Sequence, residues 1–322
     1  MQPFTSKELK LQARDRLRTT GSNVRQIILI YSGILVLLTL ISNGLNLYLN
    51  SQISSTGGLS GLSTRSMLQT FQTMIRYATS LFTPFWSAGF VRVAMLWAAN
   101  EDAVPNDLLG GFRRWGAIVG YLFRFTLMMI FLILGTAYLA STVFALTPYS
   151  QPFADLVVPL LESGSMDFSL LPQDQLLAAY TPFLVIWSVL FLPIFIFLQY
   201  TLRFTLYVII NHPKIRGTQA MAVSAAILRG NKMRLFKLDL SFWWYYGLEF
   251  LLAIVCYLDS ILPMLGISFP FNETVAYFLF LALYCILQLL LEVWKMPEVS
   301  TTYALAYRQM SNRDQVESAQ SE

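Results

Sequence analysis

Long apolar blocks alternate with short polar stretches along this chain, and the lengths of the blocks decide what they are. Six blocks fall near residues 26–49, 73–99, 117–140, 177–211, 238–258 and 275–296. Roughly 20 apolar residues rising ~1.5 Å each cross a hydrocarbon core about 30 Å thick, and every block is long enough. The pattern predicts an all-α fold, a polytopic transmembrane helical bundle of about six spans occupying residues 23–310.

The flanking segments are read by their own patterns. In the cytoplasmic segment 1–22, TSKELKLQARDRLRTTG sets Lys7, Lys10, Arg14, Arg16 and Arg18 among Leu9, Leu11, Ala13 and Leu17. This is an amphipathic helix ending near Gly21, which can supply a left-handed cap. The run that follows is too long for a signal-peptide core and no small-residue cleavage site succeeds it, so it reads as an uncleaved first span. Pro84 and Pro193 predict kinks inside spans two and four. Span four is also longer than a bilayer needs and must tilt, kink or project. The segment 147–175 holds Asp155, Glu162, Asp167 and Asp174 with no Lys or Arg, and residues 311–322 form a polar tail expected to be disordered.

Charge then orients the bundle. Only 12% of residues are charged, about half the usual ~25%, while 24 Phe, 16 Tyr and 7 Trp suit a lipid-facing surface with interfacial aromatic belts. Seventeen basic residues lie in the terminal segments and in the connections between spans two and three and between spans four and five. Only Arg65 and Arg76 lie on the other side. The excess of Lys and Arg marks the cytoplasmic side, so both termini are expected there. The net charge of +4 is too small to argue a nucleic-acid partner. Cys256 and Cys285 sit inside apolar blocks as small packing residues.

Three segments share leucines, a glycine and basic residues before an outward-going span: RDRLRTTGSNVR, DLLGGFRRW and AAILRGNKMRLFK. They suggest three hairpin units, each introduced by a cytoplasmic amphipathic helix that its glycine ends. The plainer alternative is that positive-inside loops resemble one another.

The stretch SAAILRGNKMRLFKLDLSFWWYYGL resembles the signature of an uncharacterised bacterial integral-membrane family, domain of unknown function 975. ELKLQARDRL, GFVRVAMLWAANEDAVPNDLLGGF and MPEVSTTYALAYRQM agree with it, so the likeness covers nearly the whole chain. That family tends to show Pro-Tyr and a later Phe-Tyr pair where this chain has Pro297-Glu298 and Ala306-Tyr307. The family is itself similar to the membrane domain of some glycerophosphodiester phosphodiesterases. The resemblance implies six helices in a bacterial cytoplasmic membrane, and it brings no catalytic residue to carry over.

Chemistry is sparse. No zinc-protease, nucleophile-elbow or phosphate-loop motif occurs, and no cofactor or metal is expected. His212, the single histidine, reads as a helix-terminal residue. Asp239 and Asp259 flank span five at opposite ends, too far apart for a catalytic dyad. The informative residues are ionisable groups within apolar blocks: Arg92, Arg124, Arg203, Glu249 and Glu292. A charge at mid-bilayer costs ~2.5–3.5 kcal/mol on insertion scales, so each needs a reason. In one reading the arginines snorkel to head groups while the glutamates pair with arginine or stay protonated. In the other, the five charges line a basic, cytoplasm-facing cavity for an anionic lipid, amphiphile or small solute. Lys214, Arg216, Arg229, Lys232 and Arg234 flank a short helix expected to lie on the inner leaflet, where each would gain ~1 kcal/mol from anionic lipid. The function expected is a non-enzymatic binding module, or alternatively an assembly subunit of a membrane complex.

Overall fold

The computed structural model describes residues 5–55, 61–162, 173–258, 261–262 and 273–320. Asp167 and Asp259, which entered the reading of the sequence, lie outside them. Helices dominate, and no strand occurs among the described residues.

Helix α1, Ser6–Thr19, begins with a reciprocal cap: Glu8 N–H donates to Thr5 Oγ1 and Thr5 N–H donates to Glu8 Oε2. Two of the first-turn donors that a helix cannot pair internally are thereby satisfied. Its apolar face does not lie on a membrane. Leu9 and Ala13 are fully buried inside the protein, where α1 packs on the last helix. Gly21 does not adopt the left-handed conformation expected of it. Its N–H donates to Asp102 at 2.7 Å, and a Cβ there would stand 2.9 Å from that carboxylate.

Helices α2 (Val24–Ser55) and α3 (Gly61–Ala99) form the first long pair. Helix α3 continues through Pro84 and stops at Asn100, one of the residue types that tolerate φ 63°. A 3-10 connector, Pro105–Arg114, then lies back along α3. Here the glycines do something other than end a helix. A Cβ on Gly89 would fall 1.7 Å from the Leu108 carbonyl oxygen, and one on Gly111 would fall 1.9 Å from that of Phe85. Backbone meets backbone, so DLLGGF is a close-approach motif and not a surface-helix stop.

Helices α4 (Trp115–Ala145), α5 (Ser150–Glu162) and α6 (Gln173–Leu202) follow, the last continuing through Pro182 and Pro193. Helix α5 occupies much of the segment read as a polar loop and packs on α6, Phe153 meeting Phe144 and Tyr180. The remaining elements are α7 (Thr205–Asn211), α8 (Gly217–Ile227), α9 (Lys232–Ser241), α10 (Trp243–Cys256) and α11 (Glu273–Gln320). Gly230, at φ +81°, turns the chain between α8 and α9, as a glycine beyond a helix end is suited to do. Helix α8 is not laid on a leaflet by its apolar face. Ala220, Met221 and Ile227 are buried, and the helix packs on α7 and α11.

The chain divides into two compact units, 1–118 with 204–322, and 119–203. In the first, the core groups Ile27, Ile28, Tyr31, Trp86, Phe90, Val93, Trp97 and Leu108. Trp86 Nε1 donates to the Tyr31 carbonyl at 3.0 Å, and the Tyr31 ring stacks on Phe90 at 4.3 Å. In the second, Trp187 Nε1 donates to Thr136 Oγ1 at 3.1 Å.

Among the described residues, five helices are long and apolar enough to cross a membrane, or six if the bent pair α9–α10 is one span. That pair bends by 65°, so the fifth apolar block is not the straight span its hydropathy suggests. Helix α10 has 14 residues, about 21 Å of rise against a core of ~30 Å. Helix α11 is unbroken through Pro297 and on to Gln320, past the point where the last apolar block ends.

Candidate functional site

Two constellations in the first unit concentrate polar groups, and they differ in kind. The first surrounds Glu298, where α1 packs on α11. Glu298 is buried. Arg14 donates to its Oε1 from Nε at 2.9 Å and from Nη2 at 2.9 Å, and Lys295 Nζ donates to its Oε2 at 2.9 Å. Lys10 stands over the Phe242 ring at 3.8 Å and donates to the Ser241 carbonyl. Burial lowers the Lys10 pKa below its ordinary value despite the opposing charge of Glu298. Tyr303 donates to Asp239 and also pairs with the Tyr246 hydroxyl at 2.8 Å. Around them the stretch Val299–Met310 of α11 is almost entirely buried. This is a hub that locks α1, α9, α10 and α11 together.

The second constellation is a partly open cavity of about 480 Å³ between α2, α3 and α11. Three helical stripes supply its polar wall. Helix α2 gives Ser32, Thr39, Ser42 and Asn43; α3 gives Arg76, Thr79, Ser80 and Thr83; α11 gives Tyr284, Cys285, Gln288 and Glu292. Spacings of three, four and seven put each set on one helix face. The cavity falls inside three of the membrane-crossing helices. There, an unsatisfied polar group costs several kcal/mol.

The wall is rich in acceptors. The hydroxyls of Thr39, Thr79, Ser80 and Thr83 donate to the carbonyls of Leu35, Ile75, Tyr77 and Thr79, at 2.9, 3.0, 2.9 and 3.0 Å. Asn43 spends its amide N–H on the Thr39 carbonyl at 3.0 Å, and Gln288 spends its own on Glu292 Oε1 at 2.7 Å. A hydroxyl has one proton to give and an oxygen that still accepts, so each of these groups keeps acceptor capacity. Ser32 is the exception. It is fully buried, and its hydroxyl finds no hydrogen-bond partner among the described residues.

Of the five charges singled out in the sequence, only Glu292 lines this cavity. Glu249 lies one turn from Tyr245, within electrostatic reach of it and of Glu292. Tyr284 and Tyr31 feel the Glu292 charge as well. Arg92 is no cavity residue. Its Nε lies 3.2 Å from Asp107 Oδ1, and its stem covers Gly110, where a Cβ would stand 2.5 Å from Arg92 Cδ. Arg124 and Arg203 belong to the second unit and are exposed there. Lys214, Arg216 and Arg229 are exposed in the first unit, with Lys232 and Arg234 partly buried. Arg76, counted in the sequence only for topology, is the cavity's cation. Ser32, Thr39, Asn43, Thr79 and Thr83 escaped the reading because it weighed ionisable groups and passed over hydroxyls.

Neither the curated proteins nor the solved structures contain a match to this chain, and nothing in these comparisons bears on the likeness to a phosphodiesterase membrane domain. A family model does match, over residues 1–314. This span takes in the α1 cap, the α3–connector contact, the cavity and the Glu298 hub, so the chain belongs to the family described as protein of unknown function DUF975.

Proposed function

We propose that this chain is a multi-pass protein of the bacterial cytoplasmic membrane that binds a small polar solute or lipid head group in the α2–α3–α11 cavity, without catalysing a reaction. The observation that carries the reading is a partly open cavity of about 480 Å³ between three long apolar helices, whose largely apolar wall holds the Glu292 carboxylate, the Arg76 guanidinium and a row of hydroxyls and amides. Ligand sites occupy volumes of ~300–1,000 Å³ and use a few placed polar groups. The site thus moves from the arginine-lined cavity anticipated in the sequence to one lined by hydroxyls, amides and Glu292. Both termini face the cytoplasm in this proposal, on the strength of the basic asymmetry. The exposed Lys214, Arg216 and Arg229 then meet anionic lipid at the inner leaflet.

Accessibility tests the cavity directly. In a Cys256→Ser, Cys285→Ser background, a single cysteine at Thr83 should react with a small water-soluble thiol reagent in native membranes. A cysteine at Leu290, an exposed position on α11 that does not line the cavity, should react far more slowly. Equal rates at the two positions would contradict a solvated cavity.

A further inference from the structure

The geometry points to the ligand class: a zwitterion whose primary ammonium is held at the Glu292 end of the cavity and whose anionic group is held by Arg76. This rests on the cavity reading above and goes beyond it by assigning charge and donor count.

The argument is one of donors and acceptors. Thr39, Thr79, Ser80 and Thr83 have each committed their one proton to a carbonyl, so what they can offer a guest is oxygen, while Asn43 and Gln288 each keep a carbonyl oxygen beside one remaining N–H. Glu292 adds a carboxylate within the same wall. Such a wall is complementary to a guest that brings several N–H donors and a positive charge, as –NH3+ does with three donors. A quaternary ammonium has the charge without the donors. A neutral polyol has donors but no charge to answer Glu292 at membrane depth, where an unanswered carboxylate is expensive.

Arg76 supplies the second half. On α3 it lies seven residues from Thr83, about 10 Å along the helix. On α2 the contribution runs from Ser32 to Asn43, roughly 16 Å. A bare inorganic cation fills only a small part of that length and is repelled by Arg76. A guest with an anionic group several ångströms from its ammonium satisfies both ends, since guanidinium pairs with phosphate or carboxylate through two parallel N–H donors. An aminophosphate head group has this chemistry, whether on a lipid or free in water.

The test reads protection of the Thr83 cysteine from the thiol reagent. Soluble probes are glycerophosphoethanolamine, glycerophosphocholine, glycerophosphoglycerol and sodium chloride. The lipid arm uses nanodiscs of phosphatidylglycerol with or without phosphatidylethanolamine. Glycerophosphoethanolamine should slow labelling at concentrations where the other three do not, and Glu292→Gln should weaken that protection about tenfold, the effect of losing one charge-assisted contact. Arg76→Gln should weaken it less, since that guanidinium is exposed. Protection only in ethanolamine-containing nanodiscs identifies a lipid guest, and protection by the soluble probe identifies a free one. Protection by glycerophosphoglycerol or by sodium as strong as by the amine overturns the class while leaving the cavity in place. Unprotected labelling under every condition also overturns the class. An unreactive Thr83 cysteine in a folded protein removes the cavity itself. Retained monodispersity and retained labelling of the Glu292→Gln protein separate lost binding from lost folding.

Discussion

Glu292 and Glu298 stand six residues apart on α11, and their surroundings treat a carboxylate in opposite ways. Glu298 is buried among cations that reach it from two helices, Arg14 and Lys295. Glu292 has the Gln288 amide and a void. Where cations meet the carboxylate, the arrangement is a fastener. Where the carboxylate faces open volume beside a fully buried serine hydroxyl, the arrangement is poised for something outside the chain. The contrast extends to packing. The Glu298 end closes on side chains such as Leu9, Leu235, Leu238 and Tyr307, each fully buried. Exclusion from water drives that closure, at roughly 1.5–3 kcal/mol per large side chain. The spans instead expose Leu37, Leu134, Phe197 and Leu290, because lipid is as apolar as they are.

Five substitutions in three sets probe the contrast, from the largest effect to the smallest. Gly89→Ala places a methyl 1.7 Å from the Leu108 carbonyl oxygen, while Gly44→Ala meets nothing within 4 Å. The first should lower stability by about 3 kcal/mol or more and reduce the monodisperse yield in detergent; the second should leave both unchanged. Matching melting temperatures for the two would dissolve the distinction between clamped and open helix faces.

At the carboxylates the comparison is direct. Glu298→Gln removes charge-assisted bonds to Arg14 and Lys295 and should cost about 2 kcal/mol in the purified, ligand-free protein, a loss tempered by the exposure of Arg14. Glu292→Gln should cost less than about 0.5 kcal/mol under the same conditions, since a neutral amide fits a ligand-free polar cavity as well as a carboxylate does. Thermal unfolding in detergent reads both. A larger loss at Glu292 than at Glu298 would make Glu292 structural.

The smallest effect has the opposite sign. Ser32→Ala deletes a buried hydroxyl that has no partner, so the ligand-free protein should gain up to about 1 kcal/mol. Destabilisation measured on ligand-free protein would show that the hydroxyl is already satisfied.

Much of this was legible in the sequence. Apolar block length gave the helical class, because the backbone of a membrane span has no other place to satisfy its polar groups. The N-terminal amphipathic pattern found α1 correctly but left open what its apolar face meets. Periodicity shows that a face is apolar and does not show what covers it, and here α11 does. The fifth block reads as one span because hydropathy windows are blind to a 65° bend between α9 and α10. Glu298 passed as a departure from the Pro-Tyr of the family, and its importance appeared only when Arg14, 284 positions away, proved to be its partner. The cavity stripes were present in the spacing Arg76, Thr79, Ser80, Thr83 and in Gln288, Glu292. Only the meeting of three helices distinguishes them from hydroxyls that bond their own backbone and do nothing else.

The contact of α3 with its connector has a mechanical consequence. Side chains packed in a groove can slip or change rotamer, whereas Gly89 against Leu108 and Gly111 against Phe85 leave only main chain touching main chain, with no soft layer between. Arg92 stretches across Gly110 to Asp107 and straps the two pieces together. The part of α3 from Phe85 onward and residues 105–114 are therefore clamped as one piece, adjoining the cavity residue Thr83 at one end and ending in Arg113 and Arg114 at the other, with Arg114 tied to the Pro213 carbonyl ahead of α8. A tilt of the segment of α3 beyond Pro84 would carry residues 105–114 with it and displace Arg113 and Arg114.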